Sequence, residues 1–150
     1  MPRRARFFVL CLALAGCGYP GDPLPPALNI PVKVSDLHGG QHGSNIVLRF
    51  TPRFETTDGL ILKTLGGIDL RGGPRPDGEF SHDAWAAGAV KLPVVETSDE
   101  SVTVEVPAGD WRGREILFAV RTLGPTGRAS DWSNIVHLRI VEPLARPTGL

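Results

Sequence analysis

Short segments in which apolar and polar residues alternate recur from Val32 onward, and they constrain the fold more than any other feature of the chain. In SVTVEV, the three valines from Val102 to Val106 share one side, and serine, threonine and glutamate share the other. Such alternation among β-branched and aromatic residues is typical of half-buried β-strands. Four further segments, GIDLRGG, NIVLRF, EILFAVRT and NIVHLRI, behave in the same way. Their expected inward residues are Ile68, Leu70, Ile46, Leu48, Phe50, Ile116, Phe118, Val120, Val136, Leu138 and Ile140.

Residues that favour turns separate these segments at nearly regular spacing. Glycine, proline and aspartate are concentrated in TTDG, RGGPRPDG, PAGDWRG and LGPTGRASD, and such clusters mark the points where strands reverse. No segment has a sustained 3.6-residue period, and SHDAWAAGAV is expected to form a single helical turn. Six or seven short strands in about 110 residues predict an all-β antiparallel sandwich over residues 32–142, long enough to bury one core.

The order and content of these segments resemble a fibronectin type III domain over residues 31–142. IVLRFTP stands where that family has an apolar strand B ending in tryptophan and then proline, with Phe50 in place of the tryptophan. ILFAVRTLGPTGRASDWSNIV resembles the family's F strand, F–G loop and G strand, including the Gly-x-x-Ser-x-Trp-Ser run from Gly127 to Ser133. The resemblance implies an immunoglobulin-like sandwich of about seven strands. Ile116 replaces the family's tyrosine, so packing has to close that corner, and residues 72–92 are longer than a minimal domain requires.

The N-terminus has the organisation of an export signal. Arg3, Arg4 and Arg6 precede the apolar run FFVLCLALAG, and small residues follow. The run is about half the length that a membrane-spanning helix needs. A positive cluster, a short apolar run and small residues, in that order, indicate a secretory signal peptide, which we assign to residues 1–16. The alternative is a buried hydrophobic segment. No apolar run of spanning length follows Cys17.

Leu14-Ala15-Gly16-Cys17 resembles the lipobox of bacterial lipoproteins. The resemblance implies cleavage before Cys17, a diacylglycerol on its sulfur and often a third acyl chain on its amine. Two or more acyl chains hold a protein on a membrane, whereas a single chain binds only marginally. Gly18, rather than aspartate, follows the cysteine. By resemblance to the enterobacterial sorting rule, this implies an exported protein on the outer membrane if the cell has two membranes.

Proline-rich sequence flanks the predicted domain on its N-terminal side and recurs after its last strand. Residues 17–31 carry five prolines beyond the cysteine, and proline restricts both its own backbone and the preceding residue. We predict an extended tether there, with a site for a proline-binding partner as the alternative. Residues 143–150, PLARPTGL, are predicted to be a linker or the start of a truncated second domain.

Cysteine content and charge narrow the range of functions. If Cys11 leaves with the signal peptide and Cys17 is acylated, the mature domain has no cysteine for a disulfide, a nucleophile or a zinc site. Loss of the three arginines leaves 13 basic and 16 acidic side chains, a net charge of about −3. This charge argues against a nucleic-acid partner.

Residues that could support catalysis or metal binding form no recognisable constellation. His38 and His42 lie in HGGQHG, which we interpret as a solvated glycine-rich turn without a third ligand, so no metal and no cofactor is predicted. No nucleophile elbow, phosphate-binding loop or zinc-protease motif occurs. The available carboxylates are expected in turns or at exposed strand positions, and no enzymatic activity is predicted. They are Asp58, Asp69, Asp77, Glu79 and Asp83.

The three tryptophans are the residues most open to a functional interpretation. Exposed tryptophans suit carbohydrate stacking or a protein interface, so Trp85 and Trp111 are candidate binding-surface residues, with packing as the alternative. Trp132 shares the parity of Val136 and Leu138 and is predicted to cap the core.

Together these features predict a lipid-anchored cell-envelope protein that uses its sandwich as a binding or spacer module. The expected contacts are the membrane, through the anchor, and a protein or polysaccharide partner. The alternative is an accessory or substrate-binding subunit of an envelope enzyme or transport complex.

Overall fold

The structure, a computed structural model, describes residues 27–95 and 101–143. The predicted signal peptide, Cys17, the tether up to residue 26 and residues 144–150 lie outside the described residues. In the described ranges, no helix is long and apolar enough to cross a membrane. The elements in chain order are β1 (His38–His42), β2 (Asn45–Phe50), β3 (Gly67–Pro74), α1 (His82–Gly88), β4 (Val90–Leu92), β5 (Val102–Pro107), a 3₁₀-helix (Gly109–Trp111), β6 (Glu115–Leu123) and β7 (Val136–Arg139).

Within the described residues, seven strands form two antiparallel sheets that pack face to face. One sheet has the order β1-β2-β5 and the other the order β4-β3-β6-β7. Neighbours along each sheet are antiparallel throughout. The predicted all-β, immunoglobulin-like sandwich is thereby confirmed, with the layout of a fibronectin type III domain.

The core lies between the two sheets and contains the residues that alternation placed there. In the sheet β1-β2-β5, Ile46 pairs with Val106, Leu48 with Val104 and Phe50 with Val102. These side chains, together with Ile116, Phe118 and Val120 of β6, are at most 5% exposed. A register shift of one residue would turn the sets of β2 and β5 outward, so their burial confirms the predicted register of these two strands. Both faces of β6 are buried, and its register is confirmed because Ile116, Phe118 and Val120 belong to the core between the sheets.

Packing closes the corner where the family has a tyrosine. Ile116 is fully buried, and the ring of Trp111 packs edge-on against Phe118 with centroids 5.5 Å apart. Two backbone hydrogen bonds join the turn before β6 to the end of the last strand, from Gly113 N to Ile140 O at 2.8 Å and from Ile140 N to Arg114 O at 3.0 Å. A tyrosine hydroxyl is therefore not needed to hold this corner.

The prediction that HGGQHG forms a turn is wrong for its first five residues, because His38–His42 form β1 and pair with β2. His38 lies opposite Arg49, and His42 lies opposite Asn45. A Cβ atom at Gly39 would overlap the carbonyl oxygen of Val47, so the glycine is required by close strand approach. The reversal comes one residue later, at Gly43 with a positive φ of 60°.

Residues 27–31, the last part of the predicted tether, lie against one end of the sandwich. Thr57 N donates to Ile30 O at 2.9 Å, Leu28 N donates to Asp58 Oδ2 at 3.3 Å, and Pro31 pairs with Thr56. The segment passes so close to the turn after β6 that a Cβ atom at Gly124 would overlap the carbonyl oxygen of Asn29. The chain therefore enters the domain from a defined end.

Candidate functional site

The outer face of the sheet β4-β3-β6-β7 is covered by α1 and by Trp132. This second apolar cluster is separate from the core between the sheets. The helix has two turns rather than the predicted one, and it occupies the long connection between β3 and β4. Because α1 covers this face, β6 is buried on both sides, as its nearly continuous apolar sequence allows. The cluster comprises Trp85, Ala86, Ala89, Leu117, Ala119 and Trp132.

The structure places the three tryptophans in different surroundings. Trp85 is only 7% exposed and meets Trp132 nearly at right angles, with ring centroids 6.5 Å apart. It is not an open stacking platform, and packing, the alternative given for it, describes its position. Trp111 is half-buried against Phe118.

Trp132 is buried, as its predicted packing role requires, but it lies in the outer cluster and does not cap the core between the sheets. Residues 131–135 are not part of a strand, so alternation cannot be extended back from Val136. Instead, two serines fix the segment to β6: Ser130 Oγ accepts from Thr122 N, and Ser133 Oγ accepts from Val120 N, each at 3.1 Å. The Gly-x-x-Ser-x-Trp-Ser run thus positions Trp132 over the sheet.

A network of ion pairs connects the sheet to α1. Asp69 lies opposite Arg121 across β3 and β6. Its Oδ1 accepts from Arg71 Nε at 2.7 Å, and its Oδ2 accepts from Arg121 Nε at 3.0 Å. Arg71 Nη1 also donates to the carbonyl oxygens of Ala86 and Ala89, at 3.3 and 3.4 Å. The arginine therefore ties the C-terminal end of the helix to β3.

The network continues through Trp132 to the start of the helix. The Arg121 guanidinium lies 4.3 Å from the ring centroid of Trp132, an arrangement that combines cation–π attraction with stacking. The indole Nε1 of Trp132 donates to Asp83 Oδ1 at 2.9 Å. Four side chains from four separate parts of the chain, Asp69, Asp83, Arg121 and Trp132, are thereby fixed relative to one another.

A polar pocket opens at the border of this network. It is lined by two cationic side chains, two carboxylates, a histidine, a serine and the edge of an indole. Asp83, Lys33 and Asp131 are exposed. Arg121 is held by the buried Asp69, and Asp83 is held by the buried Trp132. The residues of this polar pocket that carry polar groups are Lys33, His82, Asp83, Arg121, Ser130, Asp131 and Trp132.

Asp69 differs most from its predicted environment. It was expected at an exposed strand position, but it is 5% exposed, because β3 is an interior strand and α1 covers it. Burial alone raises the pKa of Asp69, but hydrogen bonds from Arg71 and Arg121 and the positive charges of both arginines outweigh this effect and hold the pKa below its usual value. The carboxylate is therefore ionised and structural.

Replacing Asp69 by asparagine is expected to cost about 1.5–3 kcal/mol of stability at pH 7, the range for hydrogen bonds to charged groups. Because folding lowers the pKa of Asp69, its stabilisation is complete above the unfolded pKa of about 3.9 and disappears as the pH falls through the folded value. The difference between wild type and Asp69→Asn should shrink accordingly in urea denaturation from pH 7 to pH 2. The exposed Asp77→Asn is the control. A constant difference would contradict the assignment.

The two histidines of β1 are too far apart to share a metal ion. His42 follows His38 by four positions along the strand, which places their Cα atoms about 13 Å apart at ~3.3 Å per residue. His38 Nδ1 instead lies 2.8 Å from the carbonyl oxygen of Asp36. Among the described residues, no group of three or more histidine, cysteine, aspartate or glutamate side chains could hold a metal ion.

Comparison with known proteins gives likeness only at the level of structure. No family model matches the sequence, and no curated protein is found to be similar. A solved structure described as a myokine is 13% identical, with a TM-score of 0.45, and the match covers 74% of this chain and 98% of that one. The twitchin kinase region from C. elegans is 12% identical, with a TM-score of 0.47 and coverages of 74% and 17%. The third fibronectin III domain of human KIAA0343 protein is 11% identical, with a TM-score of 0.47 and coverages of 88% and 100%.

Proposed function

We propose that this protein is a lipid-anchored module of the cell envelope that binds a partner at the border of the sheet β4-β3-β6-β7. The observation that supports this site is the polar pocket, in which solvent-facing groups are held by buried ones. Arg121 is fixed by Asp69 and by stacking on Trp132, and Asp83 is fixed by the indole N–H. Polar groups that are held in place before a ligand arrives lose less entropy on binding.

Anchoring is supported by the lipobox at Cys17 and by the way the chain enters the domain. The protein is proposed to be exported and held by its lipid, on the outer membrane where there are two. Residues 17–26 connect the anchor to the packed segment at residues 27–31, and ten residues span no more than about 36 Å. The domain is therefore kept within that distance of the membrane.

Binding is favoured over catalysis by the state of the carboxylates near the pocket. Asp69 is neutralised by two arginines and has a lowered pKa, whereas a general acid or base requires a pKa near the working pH. Asp83 accepts a hydrogen bond from Trp132. We therefore propose a non-enzymatic role.

Site-specific photo-cross-linking in cells tests this function. A photoreactive amino acid at position 33, in place of Lys33, should give a light-dependent product with the partner. The same amino acid in place of Thr103, an exposed residue on the outer side of the other sheet, should not. Absence of any product at position 33, or equal products at both positions, would contradict the proposed binding surface.

A further inference from the structure

We infer that the polar pocket binds a neutral sugar residue, so that the partner is a polysaccharide; this inference rests on the proposed function and names its ligand. The first argument is charge. The pocket has two cations, Lys33 and Arg121, and two carboxylates, Asp83 and Asp131. With balanced charges on its walls, the pocket has no net field to attract an ion of either sign. A negatively charged ligand group would be repelled by the two carboxylates, and a positively charged one by the two cations.

The second argument is the hydrogen-bonding capacity that the network leaves free. Within the described part of the chain, Arg121 uses only its Nε, in the bond to Asp69. Its two terminal amino groups are donors in a fixed plane. Asp83 uses Oδ1 for Trp132, which leaves Oδ2 as an acceptor. The pocket thus presents fixed donors and fixed acceptors side by side.

A hydroxyl group matches this lining because it both donates and accepts hydrogen bonds. Neighbouring hydroxyls on a sugar ring can meet a carboxylate and a guanidinium at the same time, which a simple anion, cation or apolar group cannot do. The carbon face of the same ring can pack against the imidazole of His82, which lines the pocket. Ligand sites commonly combine an apolar wall with a few fixed polar groups in this way.

Binding of neutral saccharides to the full-length lipidated protein tests the inference. The protein is kept in micelles of a detergent that contains no sugar. It is titrated with methyl glycosides of glucose, galactose, mannose and N-acetylglucosamine, and then with neutral oligosaccharides released from the envelope of the cells that produce the protein. Tryptophan fluorescence reports binding because Trp132 lines the pocket. We expect saturable binding of at least one saccharide, with no gain in affinity when the sugar carries a carboxylate or an amine.

The variants are at two exposed residues, Lys33 and Asp131, whose side chains form no hydrogen bond or ion pair within the described part of the chain. Asp131→Ala should weaken saccharide binding at least tenfold, and Lys33→Ala should weaken it severalfold, with unchanged melting temperatures. The matched controls Glu105→Ala and Arg49→Ala, on the outer side of the other sheet, should bind like wild type. No binding of any saccharide, or equal weakening in the controls, would overturn the inference.

The outcomes separate this inference from the proposed function. Cross-linking of position 33 to a protein, together with no saccharide binding, would support the proposed binding function and contradict the inference that the ligand is a sugar. Saccharide binding that is lost in Asp131→Ala, together with a cross-linked product at position 33, supports both. Absence of a cross-linked product and of saccharide binding would contradict both.

Discussion

Replacing Phe118 by alanine is expected to lower the free energy of unfolding by about 3–5 kcal/mol, the range for removal of a buried phenylalanine. Phe118 is fully buried and lies on β6, between β3 and β7 in the sheet. Its ring also supports Trp111, which packs against it edge-on. Truncation would leave a cavity. Because β6 is hydrogen-bonded to β3 and to β7, these strands cannot move to fill it.

Urea denaturation of the variant, followed by tryptophan fluorescence and circular dichroism, measures this loss. Phe80→Ala is the matched control, since Phe80 is 38% exposed and its removal should cost on the order of 1 kcal/mol or less. If Phe118→Ala cost less than about 1 kcal/mol, Phe118 would not be a core residue, and its assignment to the core between the sheets would be wrong.

Local burial signals predicted five of the seven strands in the described residues, namely β2, β3, β5, β6 and β7. Val102, Val104 and Val106 alternate with polar residues, and a strand with one buried face must direct such a set inward. The same reasoning identified Phe50 and Phe118 without any knowledge of their partners. Only local periodicity was needed, so the sandwich and most of its core followed from the sequence.

The errors concern features that depend on residues distant in sequence. HGGQHG is rich in glycine, as turns often are, but backbone pairing with β2 makes its first five residues a strand. Asp69 carries a charged side chain of the kind expected at exposed positions. It can be buried because Arg121, 52 positions later, lies directly opposite and forms an ion pair with it. Trp132 could not be assigned by parity because serine side chains, not a strand, hold its segment.

The polar pocket was not predicted, although part of its signal is present in the sequence. Asp69 and Arg71 are two positions apart and so share one side of a strand, opposite the inward Leu70. Arg121 follows the inward Val120 and therefore also points outward. These three residues indicate a charged outer face on two strands. Which strands are neighbours, and that α1 brings Asp83 to Trp132, required the three-dimensional structure.

Replacing Cys17 by serine is expected to abolish acylation completely, because serine has no sulfur to receive the diacylglycerol that the lipobox resemblance implies. The precursor should then keep residues 1–16. Metabolic labelling with an alkyne-tagged fatty acid, combined with mass spectrometry of the N-terminus, measures both effects. We expect strong labelling of the wild type and none of Cys17→Ser.

Cys11→Ser provides the matched control, since Cys11 and Cys17 are the two cysteines of the chain. Cys11 lies in the apolar run of the predicted signal peptide, so its replacement should leave labelling and cleavage unchanged. Normal labelling of Cys17→Ser, or loss of labelling in Cys11→Ser alone, would contradict the lipobox assignment. The domain itself should be unaffected in both variants, because the described fold begins at residue 27 and involves neither cysteine. An unchanged melting temperature would therefore show that the loss concerns the anchor and not the sandwich.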